Sequence, residues 1–372
     1  MSTTEREVTG TCPPLVSLDG PAPSSPRALA LVRRRVFTPI SVLFLVLAVF
    51  FATGPDLPVW IVFTPLAVSV LVFGLPHGAL DHLVPSRLAG RRAGFASISV
   101  VAGLYVVLGT GVFVLWNIAP FVAFSAFIAL TWFHWGQGDL WVDRAAHHAG
   151  RLRGVALPAG TIFVRGGIPL LLPLLFHPDA YEKVRRGTIE MFAQPATAAS
   201  SWALGPNLRL AIGLAFGTVV LIMALATWRA ARSHGHQAAW AQDQAEIALL
   251  GLFFALGPPV LTVGIYFCLW HALRHIVRLE LLDPGGAAFL TQGKLIEAGQ
   301  RFAVQAAPIT AIALVVLVVA YVYLPSATGS AEGQLGPYLV LLSALTVPHI
   351  AIVTFMDRRQ NAGEDGARPL WG

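Results

Sequence analysis

Long apolar runs alternate along the chain with short polar joints. The runs fall near 36–54, 58–83, 96–117, 119–141, 155–176, 207–229, 245–257, 259–280, 303–324 and 336–356. Most approach or exceed the roughly 20 apolar residues that a helix needs to cross a bilayer. Inside lipid the backbone must satisfy its own hydrogen bonds, so only helices and closed barrels span it. Barrel strands alternate inward and outward residues, and these runs do not. The pattern predicts an all-α polytopic membrane bundle of about eight to ten transmembrane helices. The seventh run is short, and Gly257-Pro258-Pro259 separates it from the eighth, because proline cannot sit inside a helix without breaking its bonding. A re-entrant segment fits that run as well as a full span does.

Composition sharpens this picture. Of 372 residues, 56% are hydrophobic and only 12% charged, about half the charged share of a soluble domain. Mean hydropathy is +0.69. Residues 1–30 are rich in Ser, Thr and Pro and read as a disordered cytoplasmic tail. Arg33-Arg34-Arg35 then precede a run long enough to span, unlike the short core of a cleaved signal. A transmembrane domain is expected over 31–358 and a C-terminal tail over 359–372. Two cysteines, Cys12 and Cys268, cannot make a disulfide framework.

A net charge of +6 and a pI near 9.8 would suit a nucleic-acid binder, but the basic residues sit in the joints, where they set topology. Arg87, Arg91 and Arg92 follow the second run, and Arg144, Arg151 and Arg153 the fourth. Arg229 and Arg232 follow the sixth, Arg278 and Lys294 the eighth, Arg358 and Arg359 the last. The intervening joints near Asp56, Pro120, Pro258 and 325–336 carry none. Both termini are therefore expected in the cytoplasm, with the chain in the cell membrane. Lys183, Arg185 and Arg186 break the rule by falling in an external joint. Arg165, inside the fifth run, needs a buried partner.

The candidate chemistry lies in the histidines. His271 and His275 are four residues apart, one turn on one helix face, a spacing that suits two ligands of one metal ion. A pair of membrane histidines bonded to neighbouring helices has the same spacing. His77 and His82 lie in Pro76-His77-Gly78-Ala-Leu-Asp81-His82, late in the second run. His134 lies in Phe133-His134-Trp-Gly136-Gln-Gly-Asp139, late in the fourth. Pro348-His349 is late in the last. All six histidines precede cytoplasmic arginines and should share one depth in the inner half of the bilayer. Ionisable residues inside spans are costly and usually functional. The other five, His147, His148, His177, His234 and His236, fall in joints.

Imidazoles without a cysteine cluster suit Zn, Cu, Fe or Ni. Neutral nitrogen ligands with open positions fit non-haem Fe(2+), and zinc accepts the same donors. Asp81 and Asp139 could each take the free N–H of a ligand histidine and fix its tautomer, or sit at helix ends as interfacial carboxylates. Arg274 and Arg278 would snorkel to the headgroups. His82 is about 140° around a helix from His77 at about 100° per residue, so both face one ion only if Gly78 breaks the helix. His349 could be a further ligand or a pocket residue. Phe73, Trp132, Phe133, Trp135, Trp141, Tyr266, Phe267 and Trp270 read as an interfacial belt, or as the lining of a channel for a long apolar polyene.

These motifs, in this order, resemble the Brp/Blh family of microbial membrane β-carotene dioxygenases, over about residues 36–358. The resemblance implies a multi-pass enzyme with non-haem Fe(2+), held by His77, His134, His271 and His275. It implies cleavage of β-carotene at the central 15,15′ double bond with O2 to give two retinal molecules, often for a microbial rhodopsin. Four histidines leave two positions of an octahedron open, and a lipid-soluble substrate suits an intramembrane site. The long N-terminal tail and the basic cluster at 183–186 depart from the family pattern, and the motifs leave another carotenoid open as substrate. Other readings are a two-iron desaturase or hydroxylase, which would need more histidine boxes than the single His271-x-x-x-His275, and a His-based transporter or haem electron carrier. Neither repeated halves nor a facing pair of haem histidines is evident.

Overall fold

A computed structural model describes residues 26–146, 156–192, 205–324 and 333–364. Among them, twelve helical stretches and no strand occur. They are α1 Pro26–Ala52, α2 Val59–Leu88, α3 Phe95–Ile118, α4 Pro120–Ala146, α5 Ala156–Phe176, α6 Pro178–Ile189, α7 Pro206–His234, α8 Gln237–Leu256, α9 Pro259–Leu282, α10 Pro284–Gln292, α11 Leu295–Tyr323 and α12 Gly336–Glu364. Eight of these, all but α4, α6, α8 and α10, are long and apolar enough to cross a membrane. Polar residues on the buried faces of α4 and α8, among them His134, Asp139, Asp243 and Glu246, lower the hydropathy of those two. The chain is an all-α polytopic membrane bundle, as the apolar runs predict.

Helix ends follow local chemistry. Pro120, Pro178, Pro206, Pro259 and Pro284 open helices, where a missing N–H costs nothing. The seventh run is the second half of a 20-residue helix, α8. Of the expected N-terminal tail, residues 1–25 lie outside the described residues, and 26–30 are already helical in α1. At the other end, α12 continues to Glu364.

The most apolar stretch of α9 is 78% buried, whereas those of α3 and α7 are 6% and 11% buried, which puts α9 at the centre and the other two outermost. Around it, α2 packs on α9, α12 on α3, α8 on α1 and α5, and α4 along α5. The α4–α5 crossing needs glycine: a Cβ at Gly136 would run into the Ile162 carbonyl, and one at Gly166 into the Trp132 carbonyl. Phe44, Phe253, Phe254, Tyr266 and Trp270 fill the core beside α9. Val49, Val107, Leu214, Ile222 and Val315 are exposed, an outer surface that suits lipid.

Arg165 and Arg185, basic residues that the sequence leaves unexplained, find partners. Arg165 is fully buried and bonds Asp139 (3.3 Å) and Asp143 (3.4 Å) on α4, and Asp243 (2.5 Å) and Glu246 (2.9 Å) on α8. The cluster at 183–186 sits on α6, a short helix against α4, α5 and α12. Arg185 is buried and paired with Glu182 at 2.6 Å, while Lys183 and Arg186 face out.

Candidate metal centre

Two local irregularities shape the site. In α2, residues Ser69–Gly74 form a π-helical turn just before His77. In α9, residues Tyr266–Ala272 form another and carry His271. π-turns insert a residue into the helical ladder and recur at functional sites. The two stretches pack on each other. Gly74 allows it: a Cβ there would lie 2.7 Å from the Ser69 carbonyl oxygen and 2.8 Å from the Phe267 ring.

Five histidines from four helices converge. Ring centroids are 4.7 Å apart for His134–His271 and His134–His349, 5.0 Å for His77–His349 and His275–His349, 5.6 Å for His77–His271 and 5.7 Å for His77–His275. All five are buried. The four nominated histidines thus come together, and His349 joins them as a fifth. His82 does not. The helix is interrupted after Gly78, and the His82 Nδ1 turns to the Ala79 carbonyl at 2.9 Å. His147 and His148 lie outside the described residues. His177 bonds the Ala255 carbonyl at 3.0 Å, and His234 and His236 sit at the α7–α8 joint.

The outer nitrogens are anchored. His77 donates from Nδ1 to the Gly74 carbonyl. His134 approaches Gln137 at 3.4 Å, and Gln137 in turn donates to Thr354 at 3.2 Å. His349 donates from Nδ1 to Asp81 Oδ2 at 2.7 Å, and the Tyr105 hydroxyl donates to the same oxygen at 2.5 Å. The inner nitrogens have little to bond. Those of His275 and His349 are buried without a hydrogen-bond partner, and the Nε2 atoms of His134 and His271 face each other at 3.2 Å. Buried polar atoms are normally satisfied, so the two orphaned imidazole nitrogens beside the facing His134–His271 pair ask for a cation. One ligand atom from each of His77, His134 and His349 lies within 4.8 Å of the others, as does one from each of Asp81, His275 and His349. Two nitrogens at about 2.1 Å from one ion lie at most about 4.2 Å apart, so small shifts close either triad, and His349 is common to both. The donors present fit a metal.

The carboxylates divide differently from expectation. Asp81 supports a histidine, but it is His349 rather than its helix neighbour His77. Asp139 reaches none. It accepts from Trp270 Nε1 at 3.0 Å and pairs with Arg165 and Arg274, because five residues along a helix carry it well around from His134. Arg274 and Arg278 do not snorkel. Both are buried. Arg274 holds Asp139 (3.0 Å) and Glu246 (3.3 Å) and stacks on Trp270, and Arg278 pairs with Asp357. Tyr266 and Trp270 belong to the core rather than to an interfacial belt, whereas Phe133 is exposed. Tyr105 escapes sequence reading entirely, since one tyrosine in an apolar run carries no signal. Gln137, three residues after His134, was legible as its neighbour on the helix.

A cavity of about 480 Å³ opens beside the cluster, within the usual range for small-molecule sites. His77, His134, His271 and His349 stand along it, and Leu66, Phe127, Pro169, Val260 and Leu342 are among its apolar walls. A metal there would face an apolar guest with few competing polar groups.

Residues 68–357 match the family described as β-carotene 15,15′-dioxygenase. A probable β-carotene 15,15′-dioxygenase Blh of Halobacterium salinarum is 39% identical over 310 residues, covering 83% of this chain and 88% of the relative. The β-carotene 15,15′-dioxygenase of the uncultured marine bacterium 66A03 is 23% identical over 314 residues, 78% and 93% of the two chains. No solved structure matches. With the family match covering most of the chain, and the buried histidines lying within it, this protein belongs to the β-carotene 15,15′-dioxygenase family.

Proposed function

We propose that this chain cleaves β-carotene at its central 15,15′ double bond with O2, giving two molecules of all-trans-retinal, with non-haem Fe(2+) held by His77, His134, His271 and His275 and with His349, buried among them, as a further donor. The observation that carries the reading is the convergence of buried, inward-facing imidazole nitrogens on an apolar cavity. Neutral donors suit Fe(2+), and the bound ion would supply the activation of O2. The residues of the chain do the rest. Gly74 and Gln137 fix the outer faces of His77 and His134. The apolar walls exclude water and orient the polyene so that a double bond lies against the histidines. No side-chain nucleophile is required. Relatives named for β-carotene cleavage favour that substrate over other carotenoids. We place the protein in the cell membrane with both termini in the cytoplasm, on the strength of its joint arginines. A retinal-binding rhodopsin is the natural recipient of the product.

The test is expression in cells that accumulate β-carotene, with retinal assayed by chromatography and His271→Ala as control. Retinal is expected from the intact chain only. Persisting carotene without any apocarotenal, in cells holding the membrane-inserted, iron-loaded protein, would overturn the reading.

A further inference from the structure

The cavity wall shows where a long apolar molecule enters. Most lining residues are buried or half-buried. The exposed ones lie on two helices only: Ala102 and Val106 on α3, and Ile309, Ile312 and Val316 on α11. Val106 is 67% exposed and Ile312 60%. A residue that both lines a cavity and faces the surroundings marks its mouth, so the mouth is a slot between α3 and α11. It opens at the depth of the histidines. Ala102 and Val106 flank Tyr105, which reaches His349 through Asp81, and α11 packs against the part of α2 that bears His77. Pro308 lies inside α11 beside Ile309, where it removes one helical hydrogen bond and makes that wall easier to deform.

In the other direction the cavity passes Leu335 and follows α12 from Tyr338 to His349, about 17 Å of helix at about 1.5 Å per residue. It ends beneath α6, where Ala180, Tyr181 and Val184 are half-buried. The histidines therefore stand between a covered arm and a lateral slot.

We propose that the guest enters sideways from the bilayer through the α3–α11 slot, and that a bound polyene keeps one half in the arm beneath α6 while its other half lies in the slot. The identity of the guest rests on the function proposed above. An apolar molecule dissolved in hydrocarbon then reaches the site without exposing its apolar surface to water. The depth of the covered arm decides which double bond stands against the histidines.

The experiment uses the full iron-loaded chain in phosphatidylcholine vesicles containing β-carotene, without O2. Binding is followed by quenching of tryptophan emission, to which the cavity residue Trp135 contributes. Val106→Phe with Ile312→Phe narrows the slot and should slow uptake about tenfold or more, as expected when access rather than contact quality limits the on-rate. Val100→Phe with Val315→Phe places the same bulk on exposed positions of the same helices that do not line the cavity, and should leave the rate unchanged. Val106→Ala with Ile312→Ala should be no slower than the natural chain. Uptake at the natural rate by the narrowed protein, equal slowing in the control pair, or no quenching in the natural chain overturns the proposal. If quenching follows the expected pattern but O2 then yields no aldehyde, the slot stands and the oxygenase reading fails.

Discussion

At the scale of single residues, the centre is a set of imidazoles whose outer nitrogens are tied down and whose inner ones are free. Asp81 is the informative case. It takes the Nδ1 proton of His349 at 2.7 Å, and so presents the unprotonated Nε2 to the cluster. Removing such a carboxylate support typically lowers metal affinity about 10–100-fold. Asp81→Asn should show that loss in iron content after dialysis against a chelator; natural iron retention would remove Asp81 from the supporting set. The histidines at 77, 134, 271 and 275 were legible because each sits late in an apolar run at one depth. The link from Asp81 to His349 was not, since the partners are 268 residues apart and the interruption after Gly78 redirects Asp81 away from His77. For Asp139 the warning was present in the spacing, because five residues along a helix bring a side chain to a different face.

At the scale of elements, apolar length gave the helices and Pro–Gly punctuation their ends, whereas the π-turns in α2 and α9 leave no mark in hydrophobic pattern. They arise from how the two helices meet at Gly74 and Phe267. The α9–α10 joint offers a test outside the membrane-spanning segments. Burial alone would raise the pKa of Asp283, but the Arg301 guanidinium at 2.6 Å and the Gly286 amide at 2.9 Å outweigh it and hold the carboxyl below its usual range. A depressed folded value means that this contribution to stability is present above the ordinary carboxylate pKa of about 3.9 and is lost as pH falls through the folded one. Protection of the amides at the start of α10, taken relative to their intrinsic exchange rate at each pH, should therefore fall below about pH 4 in the natural chain, and Asp283→Asn should show weak protection at neutral pH too. Protection in α10 that is indifferent to both changes would contradict this.

At the scale of the whole molecule, one buried network joins four helices: Arg165 on α5, Arg274 on α9, Asp139 and Asp143 on α4, Asp243 and Glu246 on α8. It holds α9, and with it His271 and His275, against the rest of the bundle. Removing one partner of a buried ion pair strands the others and costs about 3–5 kcal/mol. Arg165→Met should thus lower the thermal midpoint in detergent well beyond the change caused by Arg358→Gln at the end of α12. Equal midpoints would show that the network is not a support. The sequence flagged Arg165 as needing a partner but could not name four of them, because pairing between helices depends on packing that no local pattern encodes.

That network also sets an order of events during synthesis. Arg165 emerges from the ribosome about 80 residues before Asp243 and Glu246, and an isolated arginine at mid-membrane costs about 2.5–3.5 kcal/mol to insert. Only Asp139 and Asp143 are already made. The fourth and fifth helices would then enter the membrane as a charge-paired hairpin, with the eighth docking later. Chains ended before residue 237 should carry α5 across the bilayer, as read by protease protection of its ends, and Asp139→Asn with Asp143→Asn should impair that. Unimpaired crossing would mean that the arginine waits unpaired for α8.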